Sequence, residues 1–320
     1  MLYLVLGASI ACTAKPTPST TTDWTTLSVP IAEGVLMSGV RSATDVVHVV
    51  GGYPGHGFLL NRIDDVWSVH STYDEMLHWV HRVNDKIWAV GASGLITHLN
   101  TDGTAVPHSD PMVDEELWGV FAIAEDDVWV VGGNPRATGS TEALILHYNG
   151  VVWEQISLPE LDRPCPALFK VWARNAQDIY FAGANGVLLT YDGSTLEQVP
   201  VELGDDLVSI WGNEETVVVV GGRIRGVMLT HKNGAWTTQL LNQTSGLNGI
   251  WVGAQSAVAV GHQGTTVKWM LNNPESIHIA QPVSTLLHGI FESAPEQFIA
   301  IGGTLDQPQP WQPMMIETQP

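Results

Sequence analysis

Val128-Trp-Val-Val-Gly132 is four apolar residues closed by a glycine, and the pattern recurs as Val47-His-Val-Val-Gly51, Ile87-Trp-Ala-Val-Gly91, Ile179-Tyr-Phe-Ala-Gly183, Val217-Val-Val-Val-Gly221, Ala257-Val-Ala-Val-Gly261 and Phe298-Ile-Ala-Ile-Gly302. The closing glycines fall at a period of about 40 residues, stretched only between Gly132 and Gly183, and that is the length of a four-stranded propeller blade. Such continuously apolar runs suit a strand buried on both faces, here strand B of each blade. Upstream of each run lies a second element, read as the innermost strand A: Met37-Ser-Gly-Val-Arg41, Leu77-His-Trp-Val-His81, Leu117-Trp-Gly-Val-Phe121, Leu168-Phe-Lys-Val-Trp172, Leu207-Val-Ser-Ile-Trp211, Leu247-Asn-Gly-Ile-Trp251 and Leu287-His-Gly-Ile-Phe291. Downstream, Leu144–Tyr148, Val187–Tyr191 and Val227–His231 read as strand C. Asn149-Gly150, Asp192-Gly193 and Asn233-Gly234 then predict tight type I′ hairpins into strand D.

The last blade lacks a strand, because after Gly302 the chain has room for a strand near Met314-Met-Ile-Glu317 and then stops. Trp24-Thr-Thr-Leu-Ser28 matches the strand-D segment Trp236-Thr-Thr-Gln-Leu240 and precedes blade 1. The prediction is an all-β, seven-bladed β-propeller over residues 23–320, built of four-stranded antiparallel blades and closed by its N-terminal strand, which covers two otherwise open edges.

The units resemble the WD-like propeller repeats of the Asp-Val-Trp-Ala-Val-Gly type found in exported bacterial proteins, most plainly at Asp127-Val-Trp-Val-Val-Gly132 and Asp85-Lys-Ile-Trp-Ala-Val-Gly91. The resemblance covers residues 24–317. It implies a binding or scaffolding role and brings no catalytic residues with it.

Composition narrows the partners. The formal charge of −20, from 13 Lys+Arg against 33 Asp+Glu, repels phosphate backbones and excludes a general nucleic-acid binder. The ring is expected to be monomeric, with a protein or a glycan as partner. Residues 1–22 read as a signal and tether. Met1 to Cys12 is an apolar run too short to span a bilayer, and a Pro/Thr tract follows it. Small residues before a cysteine resemble a bacterial lipoprotein signal, so Cys12 is expected to carry lipid and to be the only membrane attachment of an exported protein, which is placed at the outer membrane or cell surface as a lipoprotein, or else in the periplasm or secreted.

Candidate chemistry is sparse. The motifs of serine-hydrolase elbows, phosphate loops, dinucleotide folds and zincins are missing, and Cys165 stands alone in a Pro-rich loop. Twelve histidines against 13 Lys+Arg are the compositional oddity. His147 and His231 end strands beside hairpins as ordinary edge residues. His56, His78, His262 and His288 map to one rim and to consecutive blades of the closed ring, where imidazoles could take a transition metal or titrate together. Three long loops, 132–140, 157–166 and 302–311, extend the same rim and supply Arg136 and Trp311 as binding residues. The last position of strand A predicts a channel ring of Arg41, His81, Phe121, Trp172, Trp211, Trp251 and Phe291, suited to a sugar or a cation if it does not simply pack between blades. The acidic groups Asp64-Asp65, Glu125-Asp126-Asp127 and Asp205-Asp206 lack the loop spacing of a Ca²⁺ site. The main expectation is a binding or scaffold module with no resident cofactor. The alternatives are a metal-binding, hydrolase or lyase propeller using the histidine rim, and a structural envelope protein.

Overall fold

The computed structural model describes residues 24–100, 104–108, 113–137, 139–305 and 309–319. Cys12 and the tether lie outside the described residues. Seven antiparallel sheets of four strands each form the molecule. Blade 1 is Val35–Arg41, Val47–Tyr53, His56–Ile63 and Val66–Tyr73, and six further blades repeat its A-B-C-D order. In the last sheet the outer strand is the N-terminal segment Trp24–Thr26, which pairs with Met314–Thr318 in the register Trp24↔Thr318, Thr25↔Glu317 and Thr26↔Ile316. The Leu27 amide adds one more bond to the Met315 carbonyl at 2.9 Å. The ring is thus closed as the two ends of the sequence require.

Each strand B forms the buried spine of its blade. Val49, Val50, Val90, Val130, Val131 and Val217 to Val220 are at or near zero exposure, and the spines pack into clusters that join neighbouring blades. The closing glycine has a steric cause. A Cβ on Gly51, Gly91, Gly221 or Gly302 would lie 1.9 to 2.0 Å from the carbonyl oxygen of the residue that precedes strand A's first paired leucine. That leucine opposes the glycine in every blade: Leu36↔Gly51, Leu77↔Gly91, Leu117↔Gly132, Leu168↔Gly183, Leu207↔Gly221, Leu247↔Gly261 and Leu287↔Gly302. A register shift follows it each time, so the next residue of strand A is a bulge and turns toward the rim.

This register corrects one expectation. In blade 1 Leu36, not Met37, opposes the glycine, so Val40 pairs with His48 as His81 pairs with Trp88. Val40 therefore holds the ring position, and Arg41 sits one place further out, level with Arg82.

The hairpins also divide. Asn233 and Gly234 both have positive φ, at 53° and 75°, as a type I′ turn needs. At Asn149-Gly150 and Asp192-Gly193 only the glycines do, and the loops run over 149–152 and 192–195. There the side chain takes over the turn: Asn149 Oδ1 accepts the amides of Val151 and Val152, and Asp192 Oδ1 accepts those of Ser194 and Thr195.

Candidate functional site

The two rims are unequal. The rim reached by the A-to-B and C-to-D turns carries short links such as 84–85, 125–126 and 295–296. The other carries the B-to-C and D-to-A connections, including 133–143, 157–167 and 303–313. His56, His78, His262 and His288 all stand on this second rim, His78 and His288 at the bulge of strand A.

They do not form one cluster. His56 stacks on Tyr53 at 4.9 Å, and Tyr53 lies 5.7 Å from the Trp311 ring, making a half-buried aromatic patch between blades 7 and 1. His78 stacks on Trp118 at 4.4 Å, and its Nδ1 is 3.1 Å from the Leu117 carbonyl, where it donates. Its Nε2 is 3.5 Å from Glu116, whose carboxyl is pushed up by burial and by Glu75 and eased by the exposed Arg136. Burial lowers the His78 pKa to about 4, and the charges of Lys170 and His288 act in the same direction. His288 Nε2 is 3.0 Å from the Gly303 carbonyl. His262 stands apart in blade 6, in the turn His262–Gly264 near Arg223. Arg136, on blade 3, and Trp311, on blade 7, belong to different groups. Among the described residues no three His, Cys, Asp or Glu side chains gather to hold a metal ion.

The channel is filled in layers. Just inside the bulges the strand-A positions are Ser38, Trp79, Gly119, Lys170, Ser209, Gly249 and Gly289, small except for two. Trp79 and Lys170 fill the space that the small residues leave. The ammonium of Lys170 lies 4.1 Å above the Trp79 ring and donates to the Trp118 and Phe169 carbonyls at 2.7 and 3.0 Å. Lys170 is 8% exposed, and burial drives its pKa down to about 7.

The next layer is the predicted ring. His81 meets Phe121 at 4.0 Å and, across the channel, Trp211 at 6.2 Å; Trp211 stacks on Trp251 at 4.9 Å, and Phe121 touches Trp172 edge-on at 6.4 Å. The rings therefore do both things that the sequence allows. Phe121, Trp172 and Phe291 are buried, while His81, Trp211 and Trp251 keep an open side. His81 Nδ1 accepts the Ala122 amide at 3.1 Å, so its neutral ring carries the proton on Nε2. Burial among these rings, with Arg82 nearby, lowers its pKa to about 3. On the side of blades 7, 1 and 2 the layer leaves a recess of about 280 Å³ that opens at the rim of short turns, lined by Arg41, Arg82, His81, Trp211, Trp251 and Phe291 among others.

Other expectations resolve locally. Cys165 is buried with its thiol on the Ala167 carbonyl, and burial pushes its pKa up to about 12, so it is no nucleophile at neutral pH. Two of the three acidic groups hold protein partners: Glu125 meets Lys86, Asp206 meets Arg223, and Asp127 accepts from Trp129 Nε1 and His147 Nε2. Blade 2 holds a pair absent from the sequence reading. His98 Nδ1 and His108 Nε2 are 2.9 Å apart, with Trp153 Nε1 donating to His108 Nδ1 at 3.4 Å. That donor fixes the His108 proton on Nε2, from which it reaches His98. Strand spacing in C and D, four residues each, is the signal that would have found it.

Comparison with family models and with curated sequences finds no match. Solved structures do match in fold. A streptogramin B lyase superposes with a TM-score of 0.75 at 13% identity, covering 93% of this chain and 97% of that one. The WD40 β-propeller domain of Doa1 gives 0.68 at 11% identity, covering 93% and 98%. The extracellular domain of a putative hybrid two-component system from B. thetaiotaomicron gives 0.68 at 11%, with 92% of this chain and 39% of that one. At these identities the likeness is one of fold: a seven-bladed propeller.

Proposed function

We propose that this propeller is an exported binding module that presents its loop-bearing rim to a protein or glycan partner while Cys12 and the tether attach it to the cell envelope. The observation that carries the reading is the asymmetry of the ring. Every long connection lies on one rim, together with the Tyr53–His56–Trp311 patch and Arg136, and large aromatic and arginine side chains are the residue types that anchor interfaces. The catalytic alternative finds less support there, because His78 and His288 each engage a backbone carbonyl and His78 also faces Glu116.

Screening the full chain against glycans and envelope proteins tests the reading. Trp311→Ala and Arg136→Ala should each weaken the partner found by at least tenfold, whereas Glu214→Ala on the opposite rim should leave it unchanged. The reverse pattern would place recognition on the other face. Cys12→Ser should move the protein from the membrane to the soluble fraction, and unchanged membrane association would refute the anchor.

A further inference from the structure

The channel recess differs from the rest of this acidic molecule in what it offers a ligand. The chain carries only 13 Lys+Arg, yet Arg41 and Arg82, from consecutive blades, both line this one mouth. Glu292 is the single carboxylate of the lining, and its Oε1 accepts the Glu296 amide. Arg41 pairs with Asp45 at 2.6 Å. Arg82 bonds only the Asn84 carbonyl, at 2.9 Å, and has no carboxylate partner among the described residues. The His81 Nε2 proton, fixed there by the Ala122 amide, meets no acceptor among the described residues. Donors therefore outnumber acceptors in the recess.

We infer that the recess is a binding site for a small carboxylate carried on a single six-membered ring, with the carboxylate on Arg82 and the ring against Trp211 and its aromatic neighbours. The volume of about 280 Å³ sits at the lower end of ligand cavities, which sets the ligand at one ring. Aromatic walls accept the flat face of a sugar or benzene ring. A guanidinium fork matches a carboxylate, and arginines at the mouth repel the cation that aromatic walls alone would favour. The recess opens on the rim opposite the long loops, so this inference stands or falls apart from the partner-binding reading.

The test is calorimetric titration of the full chain at pH 7.5 with glucuronate and benzoate, alongside glucose, benzyl alcohol and choline. At least one acid should bind, and the neutral and cationic counterparts should bind at least tenfold more weakly. Glucuronate alone would identify an acidic sugar as the source, and benzoate alone an aromatic acid. Arg82→Gln should cost at least tenfold, and Arg82→Lys, which keeps the charge but loses the fork, should fall between. Arg82 is half-buried next to the end of its strand, so both variants should unfold at the wild-type temperature. Failure of both acids to bind, equal binding of the neutral compounds, or an unchanged affinity in Arg82→Gln overturns the inference.

Discussion

Lowering the pH should loosen this ring through its buried histidines: His78 and His81 at the channel, with His48 and His108, also lowered to about 4 by burial, adding to the effect. Burial depresses the pKa of His78 to about 4 and of His81 to about 3, whereas an unfolded histidine titrates near 6.5. Between those values the unfolded chain takes up at each of these two sites a proton that the folded ring refuses, so their contribution to stability is complete above pH 6.5 and falls as the pH drops toward 4. The slope is about 1.4 kcal/mol per pH unit for each histidine, hence about 5 kcal/mol for the pair between pH 6.5 and 4.5. That is a large part of the total stability of a typical domain, about 5–15 kcal/mol. The carboxylates held low, Glu125, Asp162 and Asp192, lose their contribution only as the pH falls below their ordinary range, while Glu116, held high, works against the histidines in this window. Urea unfolding followed by tryptophan fluorescence at half-unit pH steps measures the slope. His81→Gln, which keeps an acceptor for the Ala122 amide, and His78→Gln should each lower it by one proton's share, about 1.4 kcal/mol per pH unit. A flat profile from pH 6.5 to 4.5, or a slope untouched by both variants, would refute the reasoning.

Three further outcomes follow from the packing. Gly221→Ala forces a Cβ to within 1.9 Å of the Asp206 carbonyl and should cost about 2–3 kcal/mol by chemical denaturation. Lys170→Met should remove a rise in stability between pH 7 and 10.5, because the unfolded amine stays protonated there while the folded one, lowered to about 7, does not. Deleting residues 24–27 uncovers the edge of Met314–Thr318 and should lower the midpoint of thermal unfolding by several degrees and raise concentration-dependent aggregation, both readable by scattering during a thermal ramp.

Much of the architecture was legible because the constraint repeats. The apolar run marks a strand buried on both faces, and the glycine marks the place where strand A's carbonyl comes too close for a side chain. The unmatched strand at one end and the unmatched edge at the other then close the ring. Blade 1 slipped by one position because Leu36 and Met37 are both aliphatic, and only the hydrogen-bond register tells which of them faces Gly51. The hairpins at Asn149 and Asp192 are not legible in the sequence, because the same dipeptide serves a two-residue turn or a longer one held by its own side chain. Which end of the ring His56, His78, His262 and His288 reach is legible, since loop connectivity fixes it. Their division into groups was not legible, because it depends on which neighbour each ring stacks against. Trp79 and Lys170 were missed although the signal was present: both are large where the other blades have glycine, or serine at Ser38 and Ser209.

Hydrogen exchange on the full chain, with and without the partner found by screening, tests the claim of a recognition rim most directly. The account predicts slowed exchange in the loops 133–137, 139–143 and 309–313, with the turns 84–85, 213–215 and 295–296 unchanged. Protection confined to those short turns, or to the outer strands, would contradict it.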